Sequence, residues 1–342
     1  MDLALIYKRL PIIFGTLAFI VNPVFVYLIF TEKSTTFGNY RYVLLYFATF
    51  NLVYTLVNLA VPIDIHSYRY SFYLFTSEGY FLEQSNFNLH MVSLRCASVA
   101  SSYGVLMSHF IYRYLVVQDS SLTRNKFYIY WIMSAVILVT YTAAWHFNCY
   151  LLGSANTEIK AYMREDFVKF YGFDPAEPAE RNMISCLYQE GTRDTLIRSW
   201  SSTTIWTTIS FVSICIFSKF AYMIMTKLRD MTSSMSQKTT QLQLELLRAL
   251  IIQTVIPIFV GFLPCTISFF VPIFNLDLGR PLNYVEVTSL QAFAFLDPVA
   301  IIMCLPMFRR RVLCIKKAMP SRVSSENMQT MVNTNTMTAV EG

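Results

Sequence analysis

Residues 127–151 read FYIYWIMSAVILVTYTAAWHFNCYL, a run without one Asp, Glu, Lys or Arg. A helix needs about 20 mainly apolar residues to cross a hydrocarbon core of roughly 30 Å, and this run exceeds that length. Six more largely apolar segments lie around it, at 10–30, 41–63, 89–114, 200–224, 248–272 and 283–307. Composition agrees: 55% of the 342 residues are hydrophobic and 14% charged, where soluble domains carry about 25% charge. The expected fold class is an all-α membrane protein, a seven-transmembrane helix bundle.

Charge placement predicts orientation. With the N-terminus outside, the cytoplasmic segments hold 15 Lys and Arg. The outer segments hold 10, six of them in the long loop after span 4. The positive-inside rule favours N-terminus out and C-terminus in. The net charge of +6 then reflects basic loops against an anionic inner leaflet and carries no implication of nucleic-acid binding. The first span starts within about ten residues and is long enough to remain as an anchor.

The expected organisation is a seven-span membrane domain over 1–307, an interfacial amphipathic helix over 308–319 and a disordered cytoplasmic tail over 320–342. In the interfacial segment Phe308, Val312 and Ile315 recur at helical spacing against Arg309, Arg310, Arg311, Lys316 and Lys317, a pattern that lies along a membrane surface. Cys314 within it is a candidate palmitoylation site. The loop 152–199 is polar, punctuated by Asp174-Pro175 and Glu177-Pro178, and is large enough to form a lid. No internal repeat of the transporter kind is visible.

The third span closes on His109-Phe110-Ile111-Tyr112-Arg113-Tyr114. A second block is Met235-Ser236-Gln237-Lys238-Thr239 with Leu242-Gln243-Leu244-Glu245-Leu246 and Ala249 to Pro257. A third is Leu296-Asp297-Pro298. These blocks resemble the signatures of nematode serpentine chemoreceptors of the Str superfamily, of the Str/Srj type. The resemblance implies a G-protein-coupled receptor on the plasma membrane of sensory neurons, on their cilia. Its implied partners are a small-molecule odorant or metabolite, a heterotrimeric G-protein (Gα) and membrane lipids, without cofactor.

Within that resemblance, Arg113 corresponds to the arginine that holds rhodopsin-like receptors at rest and then engages the G-protein. Tyr112 stands where those receptors carry an acid, so the local ionic lock is expected to be missing. Asp297-Pro298 resembles the Asn/Asp-Pro-X-X-Tyr element, with Ile301 in place of the tyrosine. Both departures predict measurable basal signalling. Proline removes a helical hydrogen bond, so Pro298, Pro257 and Pro264 are candidate kinks.

Arg95 precedes Arg113 by 18 residues, five turns of helix and roughly 27 Å, so the two share a face. Glu286 lies 11 residues before Asp297, toward the outer part of span 7. Two readings stay open: Arg95 holds an anionic or carbonyl ligand, or Arg95 and Glu286 neutralise each other across the bundle. Tyr103, Trp145 and His146 are candidates for an outer cavity wall. Cys149 and Cys186 are the expected disulfide pair on the oxidising side.

Other classes fit less well. The four histidines are scattered, and neither a His-Glu-X-X-His pair nor a phosphate-cradling loop occurs, so no metal ligands or catalytic residues are expected. A ligand-gated cation channel of inverted seven-span topology is the alternative, opposed by the charge count and by the span-3 and span-6 motifs.

Overall fold

The computed structural model describes residues 3–32, 38–175, 181–230, 237–276 and 278–313. Its long helices are α1 (Leu3–Thr31), α2 (Tyr40–Ala60), α3 (Asn86–Val117) and α4 (Phe127–Phe147), the last continued by a π-helical turn to Leu152. After a short helix α5 (Thr157–Tyr171) come α6 (Arg193–Asp230) and α7 (Gln237–Ile256). The sixth span continues through a π-helical turn, Pro257–Phe262, into α8 (Leu263–Phe270). Then follow α9 (Arg280–Cys304) and, on its own, a seven-residue helix α10 (Pro306–Val312). Ile63, expected in span 2, instead opens a strand, and span 7 ends at Cys304 rather than 307. Cys314 and the tail lie outside the described residues.

Among the described residues, six stretches are apolar enough to cross a membrane by length and composition: Arg9–Thr31, Tyr40–Ala60, Phe127–Leu152, Arg193–Asp230, Gln243–Phe274 and Pro281–Cys304. The seventh helix, α3, falls short because of where it sits. Of its 32 residues, 21 are buried, including Ser93, Arg95, Ser98, Ser101, Ser102, Ser108, His109 and Arg113. A helix ringed by protein can afford polar side chains that lipid would not accept. In contrast, α4 is apolar all round and buries only Tyr130, Ser134 and Trp145; Ile132, Val136 and Val139 face outward. The two helices approach closely at Gly104, where a Cβ would lie 3.1 Å from the Leu138 Cα. Ser101 and Thr142 exchange a hydroxyl bond across this seam at 2.8 Å.

At one end of the bundle sits an antiparallel sheet of β1 (Ile63–Tyr68), β2 (Ser71–Thr76) and β3 (Met183–Leu187), in that order. The hairpin comes from the connection between α2 and α3, and β3 from the long loop. Its side chains alternate with the pleat. Ile63, Ile65, Phe72, Leu74, Ile184 and Cys186 join the bundle core. Tyr73, Phe75, Met183 and Leu187 turn the other way, onto Ile159, Met163 and Phe167 of α5. Those three are spaced by four residues, the stripe of a helix lying on a sheet. The result is a roof of two layers over the helices.

The proline in α9 is accommodated by α1. Pro298 has no N–H to give the carbonyl four residues back, which is that of Ala294. Asn22 of α1 supplies it instead, its Nδ2 donating to the Ala294 oxygen at 3.1 Å. From α2, Tyr54 donates to the Leu290 carbonyl of α9 at 2.9 Å and Asn58 to Gln291 Oε1 at 2.8 Å.

Candidate functional site: a roofed cavity and an arginine latch

Beneath the sheet lies a cavity. Ile63, Ile65, Phe72, Leu74 and Ile184 form its ceiling, Arg95, Cys96 and Val99 of α3 one wall, and Trp206 and Ser210 of α6 another. Phe262, Cys265, Thr266 and Phe269 of the sixth span, with Glu286 and Leu290 of α9, complete it. Most of the lining is apolar and aromatic; Trp206 stacks on Phe269 with ring centroids 5.0 Å apart. The lining matches the usual small-molecule site, apolar with a few placed polar groups.

Arg95 and Glu286, 1% and 2% exposed, both line this cavity. They form no ion pair with each other. Glu286 instead accepts from the Ser268 hydroxyl. The Nε and Nη1 of Arg95 have no hydrogen-bond acceptor. Both nevertheless reach the same cavity, where the two side chains face each other's charge without a direct bond.

Trp145 lines the cavity and stacks on Trp206 at 5.9 Å. Tyr103 stands behind the wall, stacked on Phe262 at 3.9 Å. His146 is directed elsewhere, its Nε2 3.1 Å from His90 Nδ1. Cys149 and Cys186 are both buried and both free thiols; they share one core cluster with Cys96, and the expected bridge between them is not formed. The ceiling residues escaped the sequence reading, although the alternations Ile63-X-Ile65, Phe72-X-Leu74 and Ile184-X-Cys186 carry the strand signal.

The roof is tied down by polar contacts. His66 Nε2 of β1 lies 2.7 Å from Asp166 Oδ2 of α5, and Tyr73 donates to the same oxygen at 3.2 Å. Glu158 of α5 reaches the start of α6. It accepts from the Thr192 N–H at 2.6 Å, the Thr192 hydroxyl at 2.7 Å, and the Thr195 hydroxyl. The bond from Thr195, then those from Thr192, hold its carboxyl below the usual carboxylate range.

At the opposite end of α3 each residue of the 109–114 motif except Ile111 makes a specific aromatic or polar contact. His109 Nε2 is 3.1 Å from the Val43 carbonyl of α2. Phe110 stacks on Phe217 of α6 at 5.5 Å, and Tyr114 meets Phe220 edge-on at 5.7 Å. Tyr112 stacks on Tyr40 at 5.6 Å and meets Tyr130 of α4 edge-on. Arg113, 1% exposed, donates through Nη2 to the Gln243 side-chain oxygen at 2.6 Å and to the Gln243 carbonyl at 3.1 Å. Its guanidinium lies 5.3 Å from the Tyr40 ring centroid, a cation–π distance.

A latch to α7 therefore exists without an acid, and Gln243 is the partner that sequence reasoning missed. Asp297 is fully buried beside Pro298, and neither carboxylate oxygen has a hydrogen-bond partner among the described residues. Pro257 opens the π-helical turn of the sixth span, the kind of local rewinding that proline brings.

A family model described as "Serpentine type 7TM GPCR chemoreceptor Srj" matches residues 1–312. The chain belongs to the Srj family. Within this group, a Caenorhabditis elegans protein named "Serpentine receptor class J-38" is 50% identical over 307 residues, covering 90% of this chain and 92% of the relative. "Serpentine receptor class r-10" of the same nematode is 23% identical, covering 88% of this chain and 89% of its own. "G-protein coupled receptor str-33" is 21% identical over 78% of this chain and 76% of the relative. Membership in the Srj family makes the chain a multi-pass, seven-transmembrane chemoreceptor of the GPCR type.

Proposed function

We propose that this chemoreceptor binds an environmental small molecule in the roofed cavity and activates a heterotrimeric G-protein from the end that carries Arg113. The observation that carries the reading is the double placement of α3. One buried helix presents Arg95 to the cavity and, 18 residues on, Arg113 to the Gln243 latch. Ligand that favours a different packing of the sixth span against α3 shifts the population of latched receptor. The π-helical turn at Pro257–Phe262 contributes Phe262 to the cavity wall. It also lies directly above α7, which holds Gln243, so a wall movement has a mechanical path to the latch. Asp297-Pro298 is a second hinge candidate in α9.

With the N-terminus outside, as loop charges favour, the cavity faces the environment. Arg113 and the segment around Lys227–Arg248 then face the Gα subunit. The reading puts the receptor on the plasma membrane of a sensory neuron, on its cilium, and keeps Cys314 as a candidate for acylation. The test is nucleotide exchange on a heterotrimeric G-protein by the full-length receptor in lipid nanodiscs, given an odorant and metabolite panel. Exchange raised above empty nanodiscs supports the reading. Absent exchange, with the C-terminus labelled from outside intact cells, supports the inverted channel instead.

A further inference from the structure

We propose that the cavity's ligand is a monocarboxylic acid with a compact apolar body, its carboxylate held by Arg95. The inference rests on the reading of this cavity as the chemosensory site.

Arg95 is fully buried on α3, reaches the cavity, and leaves Nε and Nη1 without acceptors. An arginine cannot discharge itself by losing a proton, and an unpaired buried charge costs several kcal/mol. Its demand is for oxygen acceptors carrying negative charge. A carboxylate offers two such oxygens, and guanidinium–carboxylate bonds are among the stronger ones in proteins. A neutral carbonyl or hydroxyl brings one acceptor and no charge.

The lining sharpens the class. Among the described residues, Arg95 is the only cation on the cavity. A second carboxylate on the ligand would be buried without a charged partner, at a cost of several kcal/mol. Dicarboxylates are therefore disfavoured. The rest of the lining, including Phe72, Trp206, Phe269 and Leu290, is apolar and takes a hydrocarbon or aromatic body.

The test uses the full-length receptor in nanodiscs and matched probes: phenylacetate, methyl phenylacetate and phenylethanol; hexanoate, methyl hexanoate and hexanol; and adipate. Binding is measured directly at neutral pH by calorimetry. At least one monocarboxylate should bind about tenfold to a hundredfold tighter than its ester and alcohol, with adipate silent. Arg95→Gln should erase that preference, and Arg95→Lys should retain part of it.

Acids binding no better than their esters, or an acid preference unchanged in Arg95→Gln, would overturn the proposal. Arg95 would then be satisfied by water alone. The wild-type series needs no variant, so a misfolded Arg95→Gln does not blunt it. Nucleotide exchange on a G-protein is read in the same preparation. Exchange without acid preference removes the ligand class and leaves the receptor. Acid preference without exchange keeps the ligand class and removes the G-protein reading.

Discussion

Replacing Gln243 with alanine removes one of the two bonds that hold Arg113 to α7. The side-chain oxygen at 2.6 Å is lost, while the Gln243 carbonyl at 3.1 Å remains. A hydrogen bond to a charged group contributes about 1.5–3 kcal/mol. Gln243 is only half-buried, so water replaces part of the loss and the lower figure applies. About 1.4 kcal/mol is a factor of ten in an equilibrium.

Gln243→Ala should therefore raise the ratio of unlatched to latched receptor about tenfold. Ligand-independent second-messenger signalling should rise with it, read per receptor at the cell surface. Gln243→Glu works in the opposite direction. It faces the buried Arg113 charge with an acid, and even after desolvation of the pair basal signalling should fall below wild type. The two variants differ from the native residue at one side chain and move the output in opposite directions. Equal basal signalling in all three, at matched surface expression, would refute the latch.

Further expectations concern the frame. Gly104→Ala puts a Cβ against the Leu138 backbone at 3.1 Å, which cannot yield as a side chain would. Overpacking of this kind costs about 1–3 kcal/mol, and the melting temperature in detergent should drop. Asn22→Leu strips the Ala294 carbonyl of its substitute donor. An orphaned buried acceptor costs about 1–3 kcal/mol, and the same melting assay should show the loss. The Glu158 carboxyl, held below its usual range by Thr195 and Thr192, stabilises the join of α5 to α6 fully above the unfolded carboxylate value of about 4.3. That stabilisation is lost as pH falls through the lowered folded value. Hydrogen exchange in the first turn of α6 should accelerate at acid pH in wild type, and this acid-dependent step should be absent in Glu158→Gln.

How much of this was legible in the sequence depended on what each segment faces. Lipid-facing helices such as α4 announce themselves, because hydrocarbon rejects charged side chains on every exposed side. The buried α3 is weaker in hydropathy than every other span, and it was the 109–114 motif that marked its end. Helical spacing put Arg95 on the face of Arg113 and Glu286 toward the outer part of span 7, but not whether Arg95 and Glu286 touch, since spacing fixes a face and not a distance between helices.

The roof was the main omission. Its strands come from two loops that only meet in three dimensions, with Phe72 opposite Cys186 and Leu74 opposite Ile184. Their two-residue alternation was present in loops read only for polarity. Gln243 was missed for a related reason: inside an apolar-flanked amphipathic stretch, a glutamine carries no sign of the arginine waiting on another helix.

The most direct measurement of the central claim is made in intact cells carrying the full-length receptor. Calcium and membrane current are recorded against an odorant and metabolite panel, and each responding compound is repeated with Gα signalling blocked. Responses should disappear under the block. A fast ligand-evoked current that survives it would contradict G-protein signalling and make the chain a ligand-gated channel.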